Sequence, residues 1–195
     1  MFKELTRAAL FTAVTMLLCG GAYPLLIWGI GQTLFAERAN GSLIRRADGT
    51  VIGSRLVAQP FTRTEYFRPR PSAVDYDAAS TGGSNLGSSN PEHLMAVEDR
   101  LAEVMKREGV DAAQVPADLV TASGAGLDPH ISPAAAAIQA PRVAAARGVP
   151  VDAVRALIAE HTEPPTFGFL GRPRVNVLEL NLALDAQLAS SVASQ

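Results

Sequence analysis

Among 195 residues there is a single cysteine, Cys19, and there are three histidines. One thiol closes no internal disulfide, and His93, His130 and His161 share no ligand spacing with it, so disulfide-stapled and zinc-module classes drop out and no metal site is expected. An excess of basic charge is lacking too, with 17 Lys plus Arg against 19 Asp plus Glu and a net charge of −2. Nucleic-acid binders carry a strongly basic domain or stripe, so nucleic acid is not an expected partner. No glycine loop ends in Lys-Ser or Lys-Thr, which removes a Walker-type nucleotide site. No nucleophile stands in an interpretable motif beside Asp128-Pro129-His130 or His161-Thr162-Glu163, so no catalytic residue is expected.

Charge is missing altogether from Ala8 to Ala36, a run that includes Leu10, Phe11, Leu17, Leu18, Leu25, Leu26, Ile27, Trp28 and Ile30. About 20 apolar residues at roughly 1.5 Å each cross a hydrocarbon core of about 30 Å, so this run is long enough to span a bilayer. A cleaved signal peptide is the competing reading, because Lys3 and Arg7 form a basic start. An apolar signal core lasts only about 7 to 15 residues, however, and this run continues well past that. Cys19 follows Leu18 where a lipidation site wants a small residue. The span is therefore read as a retained anchor over 8–36, after a short tail at 1–7. Tyr23-Pro24 falls inside it, where Pro removes a backbone donor and either kinks the helix or receives a neighbouring helix.

Past the span the composition turns polar and rich in Gly and Pro, and about 160 residues suffice for one core. The expected architecture is a membrane-anchored α/β protein: one N-terminal transmembrane helix, then a single mixed α/β soluble domain over 37–195. Asp48-Gly49 suits a tight turn, so residues 43–58 read as a hairpin. Residues 69–91 show no apolar period and read as a long loop. Asn90 then stands as helix N-cap with Pro91 at the first position. Leu94, Val97, Leu101 and Val104 follow at helical spacing, and Gly109 ends the helix. Leu119-Val120-Thr121-Ala122 reads as a short buried strand delivering the loop 123–133. Helices are expected from Pro133 to Gln139 and from Arg142 to Arg147, interrupted or kinked at Pro141, and again from Val151 to Glu160. Asn176 and Glu179 have capping-box spacing ahead of a Leu-rich helix, although period-two alternation also fits 175–184.

Backbone amides of a glycine loop at a helix start can cradle phosphate, so Ser123, Gly124, Ala125 and Gly126 form a candidate nucleotide loop, against the plainer reading of a structural turn. Gln139 on the following helix is a candidate ligand contact or loop cap, against an exposed helix residue. The stretch from Arg142 to Ile158 has a helix-turn-helix cadence, but Asp152 and Glu160 on its second helix favour packing over DNA reading. Arg68, Arg70, Arg172 and Arg174 lie in Pro-containing loops, with pairing to acidic side chains, contact with a partner and solvation as the readings, solvation being the default.

The combination of Tyr23-Pro24-Leu25, Gly82-Gly83-Ser84-Asn85-Leu86-Gly87, Thr121 through Pro133 and Arg174-Val175-Asn176-Val177-Leu178-Glu179-Leu180-Asn181 strongly resembles the KdpC family, the C subunits of the Kdp potassium-transporting P-type ATPase. The resemblance covers essentially the whole chain and departs from the common pattern in small ways, such as Thr81 and Ser88. It implies a non-catalytic accessory subunit in the cell inner membrane, with its N-terminus cytoplasmic and its soluble domain periplasmic. The implied partners are a channel-like potassium-translocating subunit, a P-type catalytic subunit, a small single-helix subunit and the lipid bilayer. Assembly and stabilisation of the complex are implied, together with a role as catalytic chaperone that raises the ATP affinity of the catalytic subunit. Tyr23, Pro24 and Trp28 are the residues expected to dock the span. No cofactor is expected to bind tightly, ATP and potassium being handled by the complex. Direct nucleotide binding through Ser123, Gly124, Gly126 and Gln139 is the alternative. The chain carries no Asp-Lys-Thr-Gly phosphorylation motif of the P-type kind. Charge does not orient the span, since Lys3 and Arg7 precede it while Arg38, Arg45, Arg46 and Arg55 follow.

Overall fold

The structure, a computed structural model, describes residues 2–192. Met1 of the expected tail and residues 193–195 of the expected domain lie outside the described residues. Helix α1 (Phe2–Leu17) passes through a π-helical turn (Leu18–Ala22) into α2 (Tyr23–Leu34), giving one unbroken helix of 33 residues with no buried residue. At 1.5 Å per residue it is about 50 Å long, so it exceeds a hydrocarbon core of about 30 Å. It begins six residues before the uncharged run, because Phe2 to Arg7 continue the same helix, with Arg7 paired to Glu4 at 3.0 Å.

The helix breaks at Phe35, and a short α3 (Ala36–Ala39) turns the chain into the domain. Asn40 ties this corner by donating to the Gln32 side chain at 3.1 Å and to the Ala36 carbonyl at 2.7 Å. Strands β1 (Leu43–Arg45) and β2 (Val51–Ser54) form the expected antiparallel hairpin. Its closure differs from a two-residue turn. Arg46 N–H donates to the Thr50 carbonyl and Gly49 N–H to the Arg46 carbonyl, so the loop is three residues, with Gly49 at φ +84°. A glycine in that left-handed position is what a three-residue hairpin loop needs.

Residues 69–90 hold no helix or strand, as expected, and α4 (Pro91–Glu108) follows. Its Asn90 side chain accepts from Glu92 N–H at 2.8 Å, and Gly109 closes it in the left-handed conformation. The expected strand at 119–122 is absent. Ala117–Leu119 is a single 3-10 turn, and Leu119 and Val120 are buried by it without any strand partner. The three-stranded sheet is built from pieces too short to show a period: β3 (His130–Ile131), β4 (Thr162–Glu163) and β5 (Arg174–Asn176), antiparallel in the order β3-β5-β4. Helix α5 (Pro133–Arg147) runs through Pro141 without interruption. The carbonyl that Pro141 leaves unpaired is that of Ala137, on the exposed side of the helix, where water can serve it.

Helix α6 (Val151–Glu160) folds back on α5 after Gly148, and α7 (Val177–Val192) starts directly from β5. Asn176 is the N-cap expected of it, accepting from Leu178 and Glu179 N–H at 3.1 and 3.2 Å. The core joins Ala135, Ala136, Ala140 and Val143 of α5 to Val154 and Leu157 of α6, Val175 of β5, Leu180 and Leu184 of α7, and Phe67 from the loop region. Small alanines on one face of α5 let α6 approach closely, which is how a helix of low hydrophobic bulk buries its share of apolar surface.

Candidate functional site

Around the nucleotide-loop candidate, Ser123 is buried and its N–H donates to the Pro71 carbonyl at 3.1 Å. Gly82 N–H reaches across to the Ala125 carbonyl at the same distance. Gly126 has φ +71°, and a Cβ on it would collide with Val74 Cγ2 and stand 2.9 Å from the Gly82 carbonyl oxygen. A Cβ on Gly83 would meet the Gly124 carbonyl oxygen at 2.9 Å. The glycines of these two loops therefore let one backbone lie against another.

The start of α5 is occupied by the chain itself. Ser132 caps the helix by accepting from Ala135 N–H at 3.0 Å. Asp118 accepts from Ser132 N–H at 2.6 Å and from its hydroxyl at 3.2 Å. A carboxylate at a helix N-terminus satisfies the positive end of the dipole, the role a bound phosphate would otherwise play.

Gln139 is completely buried, neither exposed nor capping the glycine loop. Its Oε1 accepts from Arg68 N–H and from Arg142 Nη2, each at 2.9 Å. Its Nε2 donates to the carbonyls of Arg68 and Ala135, each at 3.2 Å. Both donors and both lone pairs of the amide are thus engaged. Ser123 bonds to Pro71, Gly126 and Asp128, a set that shares no residue with the partners of Gln139.

Gln139 belongs instead to a row of side chains that holds residues 64–68 against α5 and α7. Asn181 accepts from Phe67 N–H at 2.8 Å and donates to its carbonyl at 3.0 Å. Arg142 donates to the carbonyls of Thr64 and Tyr66, and Arg147 to that of Glu65 at 2.9 Å. Arg147 also pairs with Asp185 at 2.8 Å and lies over the Tyr66 ring at 5.0 Å. The Glu108 side chain is fully buried between Arg107 Nε at 2.7 Å and Arg142 Nε at 2.9 Å. Sequence reasoning gave no role to Arg142, Arg147 or Glu108. Asn181 and Gln139 did carry a signal, each being an amide on the apolar face of its helix.

Arg70 and Arg174 are paired with carboxylates, Arg70 to Asp128 at 3.0 Å and Arg174, on the exposed surface, to Glu163 at 2.7 Å. Burial works to raise the Asp128 carboxyl, but hydrogen bonds from His130 and the Arg70 guanidinium outweigh it and hold the group below its ordinary value.

On the span, Tyr23, Pro24 and Trp28 are all exposed, Tyr23 and Trp28 by nearly two thirds. The π turn precedes Pro24, with Tyr23 N–H donating to the Leu18 carbonyl five residues back. A proline inside an α-helix collides with the carbonyl four residues earlier, and a π turn is one local arrangement that relieves such a site. The span's end is joined to the domain by Arg55, which reaches Glu37 at 3.3 Å and Glu179 at 2.6 Å. A second apolar feature projects from the sheet: Phe167, Phe169 and Leu170, between β4 and β5, are 84%, 74% and 50% exposed.

A sequence model of the family described as "KdpC: K+-transporting ATPase, c chain" matches residues 5–186. A Potassium-transporting ATPase KdpC subunit from Geobacter sulfurreducens is 51% identical over 186 residues, covering 94% of this chain and 97% of the relative. The subunit of that name from Xanthomonas oryzae pv. oryzae is 54% identical over 180 residues, 92% of this chain and 86% of its own. Another, from Methylococcus capsulatus, is 50% identical over 189 residues, 95% of this chain and 99% of its own. The chain belongs to the KdpC family.

Proposed function

We propose that this chain acts as the accessory, non-catalytic subunit of an ATP-driven potassium-import complex, holding the channel-like and catalytic subunits together. The observation that carries this is the 33-residue, largely apolar helix in which no residue is buried against the other described residues, Tyr23 and Trp28 being exposed by nearly two thirds. Lipid covers part of such a helix, and a bulky aromatic pair beside a proline and a π turn offers an irregular surface for neighbouring helices to pack against. The exposed Phe167-Gly168-Phe169-Leu170 tip is a second unpartnered surface, suited to an interface outside the membrane.

In this reading the helix spans the inner membrane with its N-terminus in the cytoplasm, and the domain lies in the periplasm over the potassium entrance. Any gain in ATP affinity then passes through the membrane helices, favouring one conformational state of the pump over another. Direct nucleotide contact is the weaker reading, because Gln139 has no hydrogen-bonding capacity left and Asp118 already occupies the start of α5.

The test is co-purification of the complex from cells expressing Tyr23→Ala plus Trp28→Ala, with Pro24→Ala as a separate variant, at matched levels of this chain. Loss of partner subunits and of potassium uptake is expected. Unchanged yield and uptake would sink the docking role.

A further inference from the structure

A cleft of about 260 Å³ opens between α4 and the clamped segment, with Arg68, Arg100, Glu103, Arg107 and Tyr76 in its lining. Helix α4 sets Arg100, Glu103 and Arg107 on one face at i, i+3 and i+7. Arg68 faces them from the far wall, its backbone fixed by Gln139. Tyr76 is fixed as well, its hydroxyl donating to the Arg70 carbonyl at 2.8 Å.

Positive charge is in excess here. The four guanidinium groups of Arg68, Arg100, Arg107 and Arg142 have two carboxylates within 4 Å of them, Glu103 and Glu108. Glu108 is spent on the Nε atoms of Arg107 and Arg142. Glu103 is two-thirds exposed and stands 3.9 Å from Arg68 and 3.6 Å from Arg107, too far to hydrogen-bond either. Among the described residues, Arg100 bonds only the Val120 carbonyl, at 3.3 Å. The Nε of Arg68 is buried without an acceptor among the described residues. Its Nη2 donates to the Thr62 carbonyl at 2.9 Å. Burial first, then the charges of Arg107 and Arg142, push Arg68 below its ordinary value, with Glu103 and Glu108 working the other way.

We propose that this cleft binds a small oxyanion of the phosphate or carboxylate class, held chiefly by the guanidinium groups of Arg68 and Arg100. Planar guanidinium forks match such oxygens bidentately, and partly desolvated charges bind them more strongly than surface lysines do. The volume falls below the roughly 300 to 1,000 Å³ of clefts that enclose drug-sized ligands, so a small anion fits it better than a whole nucleotide. The oxyanion comes either from free solute or from the phosphate of an anionic lipid headgroup.

The experiment uses the full chain in nanodiscs of phosphatidylcholine, titrated with inorganic phosphate against chloride at constant ionic strength, with Tm as the readout. A saturable rise in Tm is expected, because a ligand bound only by the folded state stabilises it. Arg100→Gln, which gives up a single bond to a carbonyl, is expected to weaken the midpoint at least tenfold, while Arg155→Gln, at an exposed position of α6, leaves it unchanged. In phosphatidylglycerol nanodiscs a free-solute ligand gives the same midpoint, whereas a headgroup ligand raises it by competition. No phosphate effect beyond that of chloride, or one that Arg100→Gln leaves intact, would overturn the proposal.

Discussion

Gln139 and Asn181, on different helices, hold the backbones of two consecutive residues: Gln139 bonds the N–H and carbonyl of Arg68, Asn181 those of Phe67. A buried extended segment ordinarily satisfies its backbone in a sheet. Here the ladder partner is a pair of side-chain amides, which offer a donor and an acceptor in the same geometry as a peptide.

Truncating either amide strips two backbone groups of their partners at once, buried ones of Phe67 for Asn181 and half-buried ones of Arg68 for Gln139. Each such group costs about 1–3 kcal/mol when left unsatisfied, so Gln139→Ala and Asn181→Ala each lose a few kcal/mol of stability. Ser123→Ala removes only a 3.5 Å contact to Asp128 N–H and stays near wild type. Urea unfolding followed by circular dichroism makes the comparison, and a Gln139→Ala protein as stable as Ser123→Ala would contradict the clasp.

Gly126→Ala is expected to destabilise more than an ordinary surface glycine change. It combines a left-handed φ of +71° with a Cβ placed 2.9 Å from the Gly82 carbonyl oxygen, so both the residue and its neighbour loop must shift. Gly87→Ala, with nothing within 4 Å, serves as the control. The difference between their thermal midpoints is the measurement, and equal midpoints would refute a close-packed loop pair.

Asp128 makes stability acid-sensitive. Its folded carboxyl is held below the unfolded value, so its contribution is complete above the unfolded value of about 4 and fades as pH falls through the folded one. Between about pH 5 and 2 the wild-type protein should lose stability more steeply than Asp128→Asn. Parallel slopes in a urea-midpoint series over that range would remove Asp128 from the account.

Ser88 is exposed in the long loop before α4 and suits a reporter cysteine. In a Cys19→Ser background, Ser88→Cys should react with a membrane-impermeant thiol reagent once the outer membrane is opened and the inner membrane is still intact. Labelling that requires lysis of the inner membrane would place the domain with cytoplasmic ATP and reverse the proposed orientation.

Features governed by neighbours in sequence were readable. Asn90 with Pro91, Gly109 and Asn176 fix helix ends through bonds to residues two to four positions away, and the uncharged run declares the long helix by composition alone. The sheet was not readable, because strands of two or three residues such as His130–Ile131 exist only through their pairing with β5. Val120 and Leu119 are apolar because they are buried, and burial alone cannot separate a strand from a 3-10 turn. The role of Gln139 depends on a backbone 71 positions away, a relation that no local pattern records.

The π turn at Leu18–Ala22 also acts as a phase slip along the span. One residue more than an α-helical turn rotates everything beyond it by about 100°. A stripe of side chains that faces one direction from Phe11 to Leu17 therefore does not continue on the same side from Tyr23 to Ile30. A neighbour following the first half would meet a different stripe in the second, so this single helix has two separately oriented edges. Substitutions on the two halves should accordingly be separable in their effects, even at positions that a helical wheel drawn through the whole span would place together.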